Sequence, residues 1–125
     1  MNITIKTIPH KEHRYETVGD WWFTKNGDIQ IRVSKMDDWR YELLVGIHEL
    51  VEVVLCKWMG VKQTSVDAFD IVFEKRRKKG NTDEPGDDRC APYRFQHCIA
   101  TGVERTMAAL LNVYWTEYEE KINSL

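Results

Sequence analysis

The chain reads as an α+β domain: a small antiparallel sheet comes first, and three to four helices follow and pack on it. Three observations carry that reading. Residues 2–8 alternate apolar and polar side chains, the period of a half-buried strand. Asn26-Gly27 then marks a hairpin, since both central positions of a two-residue type I′ turn need positive φ and this pair adopts it readily. From residue 37 onward the apolar period lengthens to that of helices. Residues 1–35 are thus the sheet region and 37–125 the helical region of one domain, because 125 residues enclose one core and not two.

Each element follows from local signals. A two-residue turn pairs Lys25 with Asp28, Thr24 with Ile29, Phe23 with Gln30, Trp22 with Ile31 and Trp21 with Arg32. Ile29, Ile31 and Val33 then share the core face with Trp22, while Trp21 and Arg32 form a cation–π pair on the other face. Asp37 or Asp38 caps a first long helix that runs to Met59, where Gly60 stops it. Its inward stripe is Leu43, Leu44, Ile47, Leu50, Val51, Val54, Leu55 and Trp58. A second helix spans Ser65 to Lys78, with Val66, Phe69, Ile71 or Val72, and Phe73 facing inward. A polar loop over 80–90 ends in Asp87-Asp88, which cap a third helix opened by Ala91-Pro92. That helix runs to Asn112 on Ile99, Val103, Met107, Leu110 and Leu111, and a short last helix docks through Tyr114, Trp115 and Tyr118.

Composition narrows the function classes. Hydrophobic residues at 42% and charged residues at 30% are ordinary for a globular chain, so a packed core is affordable without special devices. A net charge of −2 gives no global drive toward nucleic acid or an anionic membrane. No apolar run approaches the ~20 residues of a spanning helix, and MNITIKTIPHKEH lacks the apolar centre of a secretion signal. Cys56, Cys90 and Cys98 are an odd set without framework spacing, which points to reduced thiols in a cytoplasm. The basic run Lys75 to Lys79 complements a helix C-terminus more than it marks a phosphate patch, since DEPGDD follows closely. Five tryptophans leave some exposed, and these offer a surface for a homodimer.

The chemistry concentrates in His48-Glu49-Leu50-Val51-Glu52. On a helix His48 and Glu52 stand one turn apart on one face and can aim at a single ion. Imidazole nitrogen and carboxylate oxygen are both ordinary zinc ligands. Measured from Ile47 they fall roughly 100° and roughly 140° round the helix, at the border of the apolar stripe. Glu49 falls near roughly 200°, toward solvent, where a general base beside a metal-bound water can stand. The third helix offers a matching half. His97 and Glu104 lie two turns apart on a stripe with Tyr93, Ala100, Thr101, Ala108 and Leu111 that faces the protein. Burying them requires partners: each other, Arg94 or Arg105, or an ion shared with His48 and Glu52. Four such N and O ligands suit zinc, manganese or iron. Asp67, Asp70 and Glu74 form a further acidic stripe, either a solvated face or the source of one more ligand. Cys56 continues the His48/Glu52 stripe one turn later and reads as a small buried hydrophobe, with a thiolate ligand as the alternative.

A few strands followed by a helix carrying HELVE resemble the minimal zincin scaffold, over residues 1–60. The resemblance implies a zinc-dependent hydrolase in which His48 and Glu52 are ligands, Glu49 is the base, and His97 or Glu104 completes the set. Glu52 stands where that family has a second histidine. The tryptophan-rich composition and the DEPGDD and APYRFQH segments are similar to small bacteriophage and prophage proteins, which implies an interaction module or a structural metal binder. Glu49/Glu52 with Asp67/Asp70 also resemble the acidic pairs with which all-α nucleotide pyrophosphohydrolases gather magnesium. The competing classes are therefore a catalytic site with an open coordination position and a closed four-ligand structural site.

Overall fold

In the computed structural model, which describes Met1 to Leu125, β1 (Ile3–Ile8), β2 (Gly19–Phe23) and β3 (Ile29–Ser34) form one sheet in the order β1-β3-β2. Four helices follow: α1 (Trp39–Met59), α2 (Gln63–Arg76), α3 (Arg94–Leu110) and α4 (Trp115–Asn123). The α+β class holds, but the sheet is mixed, not wholly antiparallel. β1 runs parallel to β3, pairing Ile3 with Ile29 and Ile5 with Ile31. Because the hairpin gives one edge of β3 to β2, the connection over residues 9–18 crosses to that edge and leaves β1 on the other. As an edge strand β1 is not half-buried, and its Ile3 and Ile5 stay exposed.

The hairpin turn is one residue longer than a two-residue Asn-Gly turn. Thr24 N–H donates to Asp28 O at 2.9 Å and Gly27 N–H to Thr24 O at 3.0 Å. Gly27 alone takes positive φ there, 81°, so the loop is the three-residue kind with glycine in the left-handed position. A one-residue slip exchanges the two faces of a strand. Trp21 therefore stands opposite Ile31, and Trp22 opposite Gln30. Trp21, not Trp22, enters the core with Ile29, Ile31 and Val33. Trp22 lies on the other face, with the guanidinium groups of Arg14 and Arg32 each 5.0 Å from its ring centre.

α1 begins and ends as its signals require: Asp38 accepts Arg40 N–H at 2.9 Å, and Gly60 closes it at φ 75°. Of its expected inward stripe, Leu44 is buried and Leu50 packs on the core, but the stripe as a whole is rotated. Leu44, Val45, His48, Glu52, Val53 and Cys56 are buried, whereas Leu43, Val54 and Trp58 are exposed. α3 buries Gln96, His97, Ala100, Glu104 and Ala108, as the small residues beside His97 imply, while the second candidate stripe of Phe95, Ile99, Val103 and Leu110 is exposed. The stripes carrying His and Glu turn inward because these groups satisfy one another there, which removes the penalty of burying them. Asp87 and Asp88 do not cap α3. Residues 85–87 make a short 3₁₀ turn, Asp88 receives the backbone N–H of Cys90 and Ala91, and α3 starts without a side-chain cap. Tyr118 is fully buried under α3 and Trp115 packs beside it, whereas Tyr114 stays outside. No helix is long and apolar enough to cross a membrane.

Candidate metal centre

α1 and α3 run antiparallel. Gln96 at the start of α3 reaches Met59 Sδ at the end of α1, and Arg40 at the start of α1 donates to Leu111 O at 3.2 Å. That crossing sets His48 and Glu52 against His97. His48 Nε2 lies 3.1 Å from His97 Nδ1 and 3.2 Å from Glu52 Oε2, and His97 Nδ1 lies 3.1 Å from the same oxygen. Three ligand atoms thus meet in a buried, nearly equilateral triangle, a group able to hold a metal ion. Tetrahedral zinc with bonds of about 2.0–2.1 Å has ligand-to-ligand edges of about 3.3 Å, which fits this triangle closely.

The outer atoms of all three are held. His48 Nδ1–H donates to Glu104 Oε1 at 2.8 Å, and Tyr118 Oη donates to Glu104 Oε2 at 2.5 Å. His97 Nε2–H donates to Glu84 Oε2 at 2.9 Å, with Asp87 Oδ1 at 3.4 Å. Trp21 Nε1–H donates to Glu52 Oε1 at 2.9 Å. With the far ring nitrogens donating to carboxylates, the near ones face Glu52 Oε2, to which a protonated ring donates and where a metal ion would take the place of the proton. Carboxylate-to-histidine contacts of this kind fix tautomer and ring angle in metal sites. Glu104 accordingly stands behind His48 and outside the triangle, with both oxygens engaged.

Electrostatics follow from this packing. Burial alone lowers the pKa of an imidazole, but Glu104 and Glu52 hold His48 well above the ordinary histidine range. In the same contest Glu52 and Glu84 raise His97 to about 10. Burial pushes Glu52 up, and the two imidazoles outweigh it and bring its carboxyl down to about 2. Glu49 points toward β2 and not to bulk solvent: a side chain at Gly19 would come within 2.5 Å of its Oε1. Burial and the Glu52 charge push the Glu49 carboxyl well above the usual carboxylate range.

A cavity of about 300 Å³ opens beside the triangle, lined by His48, Glu49, Glu52, His97, Asp70 and Tyr15 among others. The acidic stripe of α2 lines it too and is not a solvated face. Arg14 bridges Asp67 and Asp20, Tyr15 and Tyr93 both donate to Asp70, and Arg77 pairs with Glu74. Both oxygens of Asp67 and of Asp70 are therefore engaged within the protein, unlike the chelating pair of a pyrophosphohydrolase. Cys56 is fully buried, and its thiol, raised to about 12 by burial, stays protonated. Sequence reasoning missed Trp21, Glu84 and Tyr118 as partners of the site. Trp21 was hidden by the hairpin register. Glu84 was legible only as one acid in a polar loop, and Tyr118 only as a docking aromatic.

No family model, curated protein or solved structure matches the chain. The site's own geometry must therefore carry the functional reading.

Gly86 gives a test of His97. It is buried against the imidazole, and an added Cβ would overlap the ring atoms. A Gly86→Ala variant is expected to swing His97 aside, weakening zinc affinity at least about tenfold and stability by about 1–3 kcal/mol. Zinc titration and thermal melts with and without chelator measure both. Unchanged affinity would mean that His97 is not a ligand.

Proposed function

We propose that the chain is a metal-dependent hydrolase whose ion is held by His48, Glu52 and His97. Zinc fits best, because two imidazoles and one carboxylate at these spacings are its usual donors in open sites. The observation that carries the reading is the convergence of three near-side ligand atoms, each with its far side held by a separate partner. Two features favour catalysis over a closed structural site. Glu104 already spends both oxygens on His48 and Tyr118, which leaves the protein no fourth ligand in place. The triangle also borders a cavity large enough for a small substrate group.

A bound divalent ion would lower the pKa of a water beside it toward neutrality. Glu49, one residue on from His48 and on the cavity wall, is the group to take that proton. Glu104 and Glu84 keep both imidazoles in the tautomer that points a lone pair inward, and Trp21 fixes the rotation of the Glu52 carboxylate. These are positioning residues.

Elemental analysis of protein purified without added metal tests the proposal, with one ion per chain expected. Glu49→Gln should keep that ion while hydrolysis of aryl esters or fluorogenic peptides falls about 10²–10⁴-fold. Protein without a stoichiometric ion refutes the reading, and loss of the ion in Glu49→Gln makes Glu49 a ligand instead of the base.

A further inference from the structure

The inward turn of the His and Glu stripes leaves an apolar surface on α1 and α3 with no partner inside the chain. On α1, Leu43, Ile47, Val54 and Trp58 fall within about 60° of one another, on the side opposite His48 and Glu52. On α3, Phe95, Ile99, Val103, Thr106 and Leu110 do the same opposite His97 and Glu104. From Leu43 to Trp58 and from Phe95 to Leu110 these arcs contain no ionisable side chain. The two helices pack side by side, and Gly46 of α1 sits under Ile5 of β1. Ile3 and Ile5, α1 and α3 therefore form one continuous outer layer. Trp58 is 86% exposed and Leu110 74%. Exposure on this scale is not the scatter of single apolar residues found on ordinary monomers.

We infer that this face is the interface of a homodimer, in which α1 and α3 pack on the same two helices of a second copy. Area is the first argument. Taking about 200 Å² for a fully exposed large side chain, the exposed apolar residues of β1, α1 and α3 offer about 1,000 Å² per protomer. A standard stable interface uses about 800 Å² per partner. Charge is the second. An uncharged patch can meet its own copy across a two-fold axis without like-charge repulsion, as an isologous contact requires. An anionic membrane would instead call for basic residues among the apolar ones, and the two arcs supply none. Gly102, whose missing side chain faces open space, lets a partner helix approach α3 closely. The face lies on the far side of α1 and α3 from the cavity, so pairing leaves the metal centre open.

Light scattering coupled to size exclusion, with protein at about 100 µM, reads the outcome. The full chain is expected to run at twice its monomer mass. A Val54→Glu/Val103→Glu variant should be monomeric, weakening association at least about 100-fold, with helical circular dichroism and ion content unchanged. Trp58→Ser, altered at a side chain that contributes almost nothing to the core, should weaken dimerisation with no change in melting of the diluted monomer. A Lys25→Glu change in the hairpin turn should leave the dimer intact. A monomer at that concentration, a dimer indifferent to both interface variants, or a monomer that sediments with anionic lipid vesicles would each overturn the inference.

Discussion

A His97→Ala variant is expected to lose its ion, with zinc affinity falling about 10²–10³-fold. Closed zinc sites hold their metal with about 10–16 kcal/mol over four ligands, or roughly 2.5–4 kcal/mol for each. His97 also supplies the only ligand atom drawn from α3, so its loss unpins the two helices where they cross. The informative comparison is Glu104→Gln. If Glu104 acts only by orienting His48, the amide keeps the volume and the Tyr118 contact, and affinity drops by about 10–100-fold, the usual cost of an outer partner. Competition with a chromophoric chelator ranks the two. Equal losses would make Glu104 a fourth ligand, and the site would then be closed and structural. A small loss for His97→Ala would remove the three-ligand arrangement altogether. In the ion-free protein His97→Ala should also cost stability, because Glu52 and Glu84 lose a charged partner and Glu52 is buried.

The pair of segments that build this centre was legible in the sequence, but not the orientation of α1. His48 and Glu52 lie one turn apart, and His97 lies on a stripe of small residues, so their aim toward a common point followed from helical spacing alone. On α1 the inward stripe did not follow, whereas on α3 the small residues around His97 and Glu104 marked theirs. α1 carries apolar residues nearly all the way round, since Val45, Val53 and Cys56 flank the polar pair as Leu43, Val54 and Trp58 flank Ile47. Periodicity cannot choose between two such stripes. The choice is made by partners that only the fold supplies: Trp21 from β2, Glu84 from the loop before α3, and Tyr118 from α4. The hairpin shows the same limit on a smaller scale. Asn26-Gly27 marks the turn correctly, but whether it spans two or three residues depends on a single φ, and that decides whether Trp21 or Trp22 reaches Glu52. The parallel pairing of β1 left no local signal, because an edge strand with one exposed face reads alike in both directions.

Protons compete with the ion for the same electron pairs, so zinc affinity should climb with pH by at least about tenfold per unit between pH 6 and 8. The raised value of His97, about 10, means that the ion-free protein holds a proton there across that range, and binding must expel at least one proton. The climb should flatten only toward pH 10, where His97 releases its proton unaided. Stability of the ion-free chain runs the opposite way. A group whose folded pKa lies above its unfolded value stabilises the fold fully below the unfolded value, near 6.5, and ceases to do so as pH passes the folded one. Chelator-treated protein should therefore lose on the order of a few kcal/mol between pH 6.5 and 10, while zinc-loaded protein should show little of that loss. Calorimetric titration in buffers of different ionisation enthalpy counts the expelled protons, and thermal melts across the same pH range follow stability. Affinity independent of pH from 6 to 8 would mean that the metal does not take the place of these protons, and the triangle would then be a charged hydrogen-bond cluster joining α1 to α3.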